Sequence, residues 1–85
     1  MYSFLMAENR TDFPAITICG ADGIIFSDIP RQDRTGLRMV GAGSVRLEIY
    51  DNFMKPLTVL WLPLEPRTRA KLIVYPDLVQ FTLLP

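Results

Sequence analysis

The sequence contains no histidine and a single cysteine, Cys19, among its 85 residues. Without imidazole the chain lacks the side chain most often used for proton transfer near neutral pH, and no Ser-His-Asp or Cys-His nucleophile is available. A zinc site of ordinary Cys/His composition and an internal disulfide are also excluded, and the aspartates lack the spacing of a calcium loop. These absences predict a protein that is not an enzyme and that holds no metal or cofactor.

Net charge and long apolar runs are absent as well. Nine basic and nine acidic residues cancel, although 49% of the residues are hydrophobic, and this balance excludes a disordered chain. The longest apolar stretch, residues 56–64, is less than half of the roughly 20 residues that a membrane-spanning helix needs. The N-terminus has no basic start and no apolar core of signal-peptide length, so we expect a cytoplasmic protein or one held within a viral particle.

Alternation of apolar and polar residues is the clearest pattern that is present. Val45, Leu47 and Ile49 are separated by polar residues over 44–50, and Val79 and Phe81 repeat the pattern near the C-terminus. A period of two residues is typical of half-buried β-strands. No segment keeps the i, i+3, i+4, i+7 apolar spacing of an amphipathic helix over a sufficient length, and seven prolines interrupt every candidate helix.

Turn signals divide the chain at intervals of about ten residues. The segment 20–23, Gly-Ala-Asp-Gly, predicts a tight hairpin, and further reversals are expected near residues 41–44, 51–56, 66–69 and 75–77. The pattern predicts an all-β fold, a small antiparallel sandwich or barrel of about seven short strands with little or no helix. We expect one β domain over residues 15–85, preceded by an N-terminal arm, residues 1–14, that is mobile or in contact with a partner.

The strand predicted over residues 57–64 is apolar on both faces. Val59 and Trp61 lie on one face, whereas the other face is built from Leu60, Leu62 and Leu64. Pro63 gives no ladder hydrogen bond, which indicates an edge strand or a bulge. Natural edges usually carry charge to prevent pairing, so we expect another chain to cover one face or the edge. The alternative is a central strand of a closely packed sandwich.

Aromatic residues, methionine and arginine supply the other candidate contacts. Arginine outnumbers lysine seven to two and suits planar contacts with carboxylates, while aromatic residues and methionine are typical of interface centres. The predicted partner-binding residues lie on the apolar strand, at the turn that precedes it and in an arginine-rich loop: Leu60, Leu62, Leu64, Tyr50, Phe53, Met54, Arg31, Arg34 and Arg38.

Protein association is therefore the function that the sequence favours. We expect a homo-oligomer or a subunit of a larger assembly, of the kind found among small viral or phage structural and inhibitory proteins. The alternative is a small β-barrel that binds nucleic acid through exposed aromatic residues and two arginine loops. Its predicted contacts are Arg31, Arg34, Arg67, Arg69 and Lys71, although the zero net charge argues against it.

Overall fold

The chain folds into β-strands joined by turns and loops along its whole length. The computed structural model describes all 85 residues and contains eight strands and no helix. No segment therefore forms a helix long and apolar enough to cross a membrane. The strands are β1 (Tyr2–Asn9), β2 (Ala15–Gly20), β3 (Gly23–Pro30), β4 (Arg38–Gly41), β5 (Gly43–Tyr50), β6 (Pro56–Leu64), β7 (Arg69–Val74) and β8 (Val79–Leu84).

The strands form two four-stranded sheets. Sheet A has the order β4-β1-β7-β8, and sheet B has the order β3-β2-β5-β6. Every pair is antiparallel except β1 with β7, which is parallel. The all-β prediction is confirmed, and the two separate sheets make the fold a sandwich. The placement of Pro63 is also confirmed, because β6 is an edge strand of sheet B.

One hydrophobic core joins the two sheets. Alternate residues of the central strands point into it, including Leu5 and Ala7 of β1 and Leu47 and Ile49 of β5, all with no exposed surface. Thirteen buried residues from both sheets form a single cluster. Burial of a Leu or Ile side chain contributes about 1.5 to 3 kcal/mol, so these alternating positions are the main source of stability.

The N-terminal segment differs from the prediction of an arm. Residues 2–9 form β1, which lies between β4 and β7 in sheet A. Ser3, Leu5 and Ala7 are completely buried, so this strand is an integral part of the core. With this strand the structure has eight strands, one more than the number of about seven that the turn signals predicted.

Two reversals show how local residues position the strands. The predicted hairpin is confirmed, since only Ala21 and Asp22 connect β2 with β3. Gly23 has a φ of 130°, which a residue with a side chain rarely adopts. After β5, the buried carboxylate of Asp51 accepts backbone N–H bonds from Phe53 and Lys55 at 2.8 and 2.9 Å, so the chain turns without a helix.

Candidate interaction surfaces

The two faces of β6 have different surroundings. Leu62 and Leu64 are 4% and 1% exposed because they face sheet A across the core, and Leu60 is half-buried against it. Assigning Leu62 and Leu64 to a partner surface was therefore wrong. The register with β5 is the reason, since Leu62 lies opposite Val45 on the inward side.

The outward side of β6 forms what we call the Trp61 face, made of Val59, Trp61, Arg46, Glu48 and Tyr50. Trp61 lies opposite Arg46, and Val59 lies opposite Glu48 on β5. Trp61 is 62% exposed and Val59 is 48% exposed. An exposed tryptophan beside an arginine is the composition that marks the energetic centre of many protein interfaces.

A polar row on β5 borders the two exposed apolar residues of the Trp61 face. The Glu48 carboxylate accepts hydrogen bonds from Arg46 Nη1 and from the Tyr50 hydroxyl, both at 2.5 Å. The bond from Tyr50, followed by that from Arg46, holds the pKa of Glu48 below its ordinary value. The same bond raises the pKa of Tyr50. The row is therefore an ionised carboxylate fixed between two donors.

Cys19 lies beside this row, opposite Glu48 on the neighbouring strand. Burial, and secondarily the charge of Glu48, raise the pKa of the thiol above its ordinary value. A protonated thiol is a poor nucleophile and a poor metal ligand. In addition, no three acidic or cysteine residues come close enough to hold a metal ion.

The remaining predicted partner residues occupy two further places. Phe53 is 85% exposed and Met54 is 51% exposed at the turn beyond Tyr50. Because β2 is antiparallel to both β3 and β5, the loop with Arg31 and Arg34 lies at the same end of the sandwich as that turn.

Arg38 has a local structural role. It lies on β4, and its Nη1 donates to the backbone carbonyl of Ile25 on β3. Its guanidinium thus spans the gap between the edge strands of the two sheets.

The five residues of the nucleic-acid alternative do not form one patch. Gln32 N–H donates to the carbonyl of Asn9, whereas Arg67 N–H donates to that of Tyr2, so the two arginine loops lie at opposite ends of β1. That strand separates them by roughly 23 Å at the usual rise per residue.

Much of their charge is also engaged within the chain. Lys71 Nζ is 2.9 Å from Glu8, and Arg69 Nη2 donates to the carbonyl of Pro85 at 2.5 Å. Arg31 Nη1 donates to the carbonyl of Asp12 at 3.2 Å.

Two buried polar residues of β1 were not recognised from the sequence. Glu8 is 7% exposed at its side chain and pairs with both Lys71 and Arg10. Their hydrogen bonds, that from Lys71 first, lower its pKa although burial opposes them. Asn9 Oδ1 accepts from Thr11 N–H at 2.9 Å. The sequence does not indicate these partners, because Lys71 comes from β7 and Arg10 and Thr11 come from the loop after β1.

The lateral side between β6 and β8, which we call the open side, has an apolar groove. The groove has a volume of about 530 Å³. On β8, Val79 and Phe81 are half-buried and Leu83 is 59% exposed, although all three lie opposite buried residues of β7. The groove is lined mainly by residues of β6, of the β7–β8 connection and of the loop after β1, including Phe13, Leu57, Leu60, Tyr75 and Leu78.

Comparison with protein-family models, with curated proteins and with solved structures finds no match to this chain. Function is therefore inferred from the geometry of these surfaces.

Proposed function

We propose that this protein is a non-enzymatic subunit that works by associating with other protein chains, using the Trp61 face as its main contact. The observation that carries the proposal is the exposure of Trp61, 62%, on an edge strand that contains no charged residue. Natural edge strands usually carry charge, a short length or a bulge to prevent pairing. β6 is nine residues long and uncharged, and its pairing is irregular only near Pro56, where the register with β5 shifts; a second proline, Pro63, lies near its other end.

The composition of the face supports a specific contact. Trp61 and Val59 offer apolar area, while Arg46 and Glu48 are already held in one geometry by their mutual bond. A preordered polar row loses little conformational freedom on binding. Phe53 and Met54 extend the apolar surface beyond the Tyr50 end of the same sheet.

The chemistry of the face supports binding over catalysis. Its carboxylate is held ionised by two donors, and the neighbouring thiol of Cys19 has a raised pKa. Neither group is poised to exchange a proton near neutral pH. As part of the same proposal we place the protein among assembly subunits of the cytoplasm or of a viral particle, because a small chain without disulfides commonly gains stability from partners. The nucleic-acid alternative has less support, since its basic residues are divided and partly engaged.

Quantitative affinity capture tests this proposal. The wild-type chain and the Trp61→Glu variant serve as baits in an extract of the native source, and captured proteins are quantified by mass spectrometry. We expect the variant to capture at least about tenfold less of the partner protein than the wild-type chain captures, because interface tryptophans commonly contribute 2 kcal/mol or more to binding.

The matched control is Leu37→Glu, which places the same charge on a 44% exposed residue ahead of β4 in the other sheet. It should retain wild-type capture, and circular dichroism should show that both variants fold. Equal capture by the wild-type chain and Trp61→Glu would contradict the proposal.

A further inference from the structure

The backbone groups of β7 show which residues of β8 remain unpaired. Arg10 N–H donates to the carbonyl of Val74 at 2.7 Å, so Val74 directs its backbone groups toward the β1 side of sheet A. Tyr75 N–H donates to the carbonyl of Leu78 at 2.8 Å, so Tyr75 directs its groups toward β8. Because consecutive residues of a strand alternate in this direction, the even-numbered residues of β7 face β1 and the odd-numbered residues face β8.

The edge of β8 therefore exposes the backbone groups of every second residue. Val79, Phe81 and Leu83 lie opposite the even-numbered residues of β7, so their N–H and C=O groups point away from that strand. No strand pairs with β8 on its other side. Six backbone hydrogen-bonding groups are thus available to a further strand.

The same three residues mark an incomplete core. Their partners on β7 are at most 3% exposed, whereas Leu83 itself is 59% exposed on the inward face. The half-buried side chains of Val79 and Phe81 pack against the core from its border. A strand added beside β8 would cover all three side chains while it paired their backbone groups.

We propose that this added strand is β8 of a second copy of the chain, paired antiparallel about a two-fold axis at Phe81. In this register Phe81 faces its own symmetry mate, and Val79 of each copy faces Leu83 of the other. Each of the three pairs is of the type that exchanges two hydrogen bonds, so all six exposed groups of each strand become paired. Gln80 and Thr82 face each other on the outward side of the joined sheet.

Self-complementarity favours a second copy over an unrelated strand. A two-fold axis brings the groups close to it near their own symmetry mates, so a short strand centred on the axis is best free of charge, and β8 carries none. Asp77, the acidic residue before β8, falls opposite Pro85 of the other copy, so the two Asp77 carboxylates lie at opposite ends of the paired strands and do not repel each other.

This contact does not rest on the Trp61 face, because β8 belongs to sheet A and Trp61 to sheet B. Pairing produces a continuous eight-stranded sheet whose remaining edges are the two β4 strands. Each dimer then carries two copies of the Trp61 face. A failure of one contact leaves the other intact, so the two proposals are tested separately.

Light scattering after size exclusion tests the pairing on the full chain. The wild-type protein should elute as a species of twice the 9.7 kDa of one chain. Leu83→Pro removes an N–H that only the second copy uses, and proline is compatible with such an edge position. It should raise the dissociation constant at least about tenfold, since two hydrogen bonds disappear from each dimer.

Two control variants and one crosslink complete the test. Thr82→Val changes the outward face of the same strand without adding charge and should remain dimeric, as should Trp61→Glu. In a Cys19→Ser background, Gln80→Cys combined with Thr82→Cys should form an intermolecular disulfide under mild oxidation, while either single variant should form far less. A monomeric wild type, a dimer insensitive to Leu83→Pro, or a double variant that stays uncrosslinked would overturn the proposed pairing.

Discussion

The two lateral sides of the sandwich enclose grooves of similar size, about 530 Å³ on the open side and about 440 Å³ between β3 and β4. Their edge strands differ. The guarded side, as we call the β3/β4 side, has a four-residue strand, β4, and a strand, β3, whose pairing is interrupted by register shifts. Asp28 in β3 has a φ of 52°, which turns the backbone away from a regular edge. Arg38 bridges the two strands.

The open side has none of these features along β8. That strand has no charge, no proline and no register shift, and β6 beside it is the longest strand of the fold. Both sides belong to the same core, so the difference does not follow from stability alone. It indicates that the guarded side is built to remain unpaired, whereas the open side is suited to further pairing.

The largest expected effect comes from removing the core contact beneath the open side. Leu62→Ala should lower the free energy of unfolding by about 2 to 5 kcal/mol, because the side chain is 4% exposed and its removal leaves a cavity. Val59→Ala, three residues earlier on the exposed face, should cost less than about 1 kcal/mol. Urea denaturation followed by circular dichroism measures both. Similar losses in the two variants would contradict the assignment of the two faces.

Leu62 and Val59 also show that the sequence does not predict which face of β6 is buried. The apolar alternation of β5 predicted its inward face, but both faces of β6 are apolar, so the pattern left their orientation open. Orientation depends on the register across the turn, and that register shifts between Ile49 and Tyr50. Such a shift comes from backbone geometry that residue types alone do not reveal.

The N-terminal strand was missed for a related reason. Phe4, Leu5, Met6 and Ala7 are all apolar, so no period of two is visible, and the strand pairs in parallel with β7, more than 60 residues away in the chain. The hairpin at residues 20–23 was predictable because its signal is local. The candidate surface was predictable as a strand and a turn, but not as the particular face that remains exposed.

A second prediction concerns the charge pairing of Glu8 on β1 with Lys71 on β7 and with Arg10. Glu8 is buried, and its backbone forms a bridge with Arg34 of the β3–β4 connection. Because its pKa is lowered below the ordinary value near 4.5, ionised Glu8 stabilises the fold above that pH, and this contribution is lost as the pH falls through the folded-state pKa. Glu8→Gln should lose on the order of 1 kcal/mol at pH 7.

Urea midpoints at pH 7 and pH 3 test the sign of this effect. The wild-type chain should lose more stability on acidification than Glu8→Gln does, so the difference between them should shrink toward pH 3. Glu65→Gln removes the same charge from an exposed residue and should retain the wild-type pH dependence. Parallel pH profiles for the wild type and Glu8→Gln would refute the stabilising role of this carboxylate.

The smallest expected change in stability comes from removing the Arg38 side chain, which bridges β3 and β4 on the guarded side. Arg38→Ala eliminates the hydrogen bond to the carbonyl of Ile25, and because the arginine is exposed the free energy of unfolding should fall by about 0.5 kcal/mol.

The effect of Arg38→Ala on association should be larger than its effect on stability. With β3 and β4 no longer bridged, a second lateral side becomes accessible to other chains, so light scattering should detect species beyond the dimer at high protein concentration. Arg38→Lys keeps a donor and a charge at the edge, so it should suppress these species. If Arg38→Ala forms no larger species than the wild type, the short length of β4 and the irregular pairing of β3 are sufficient to protect this side.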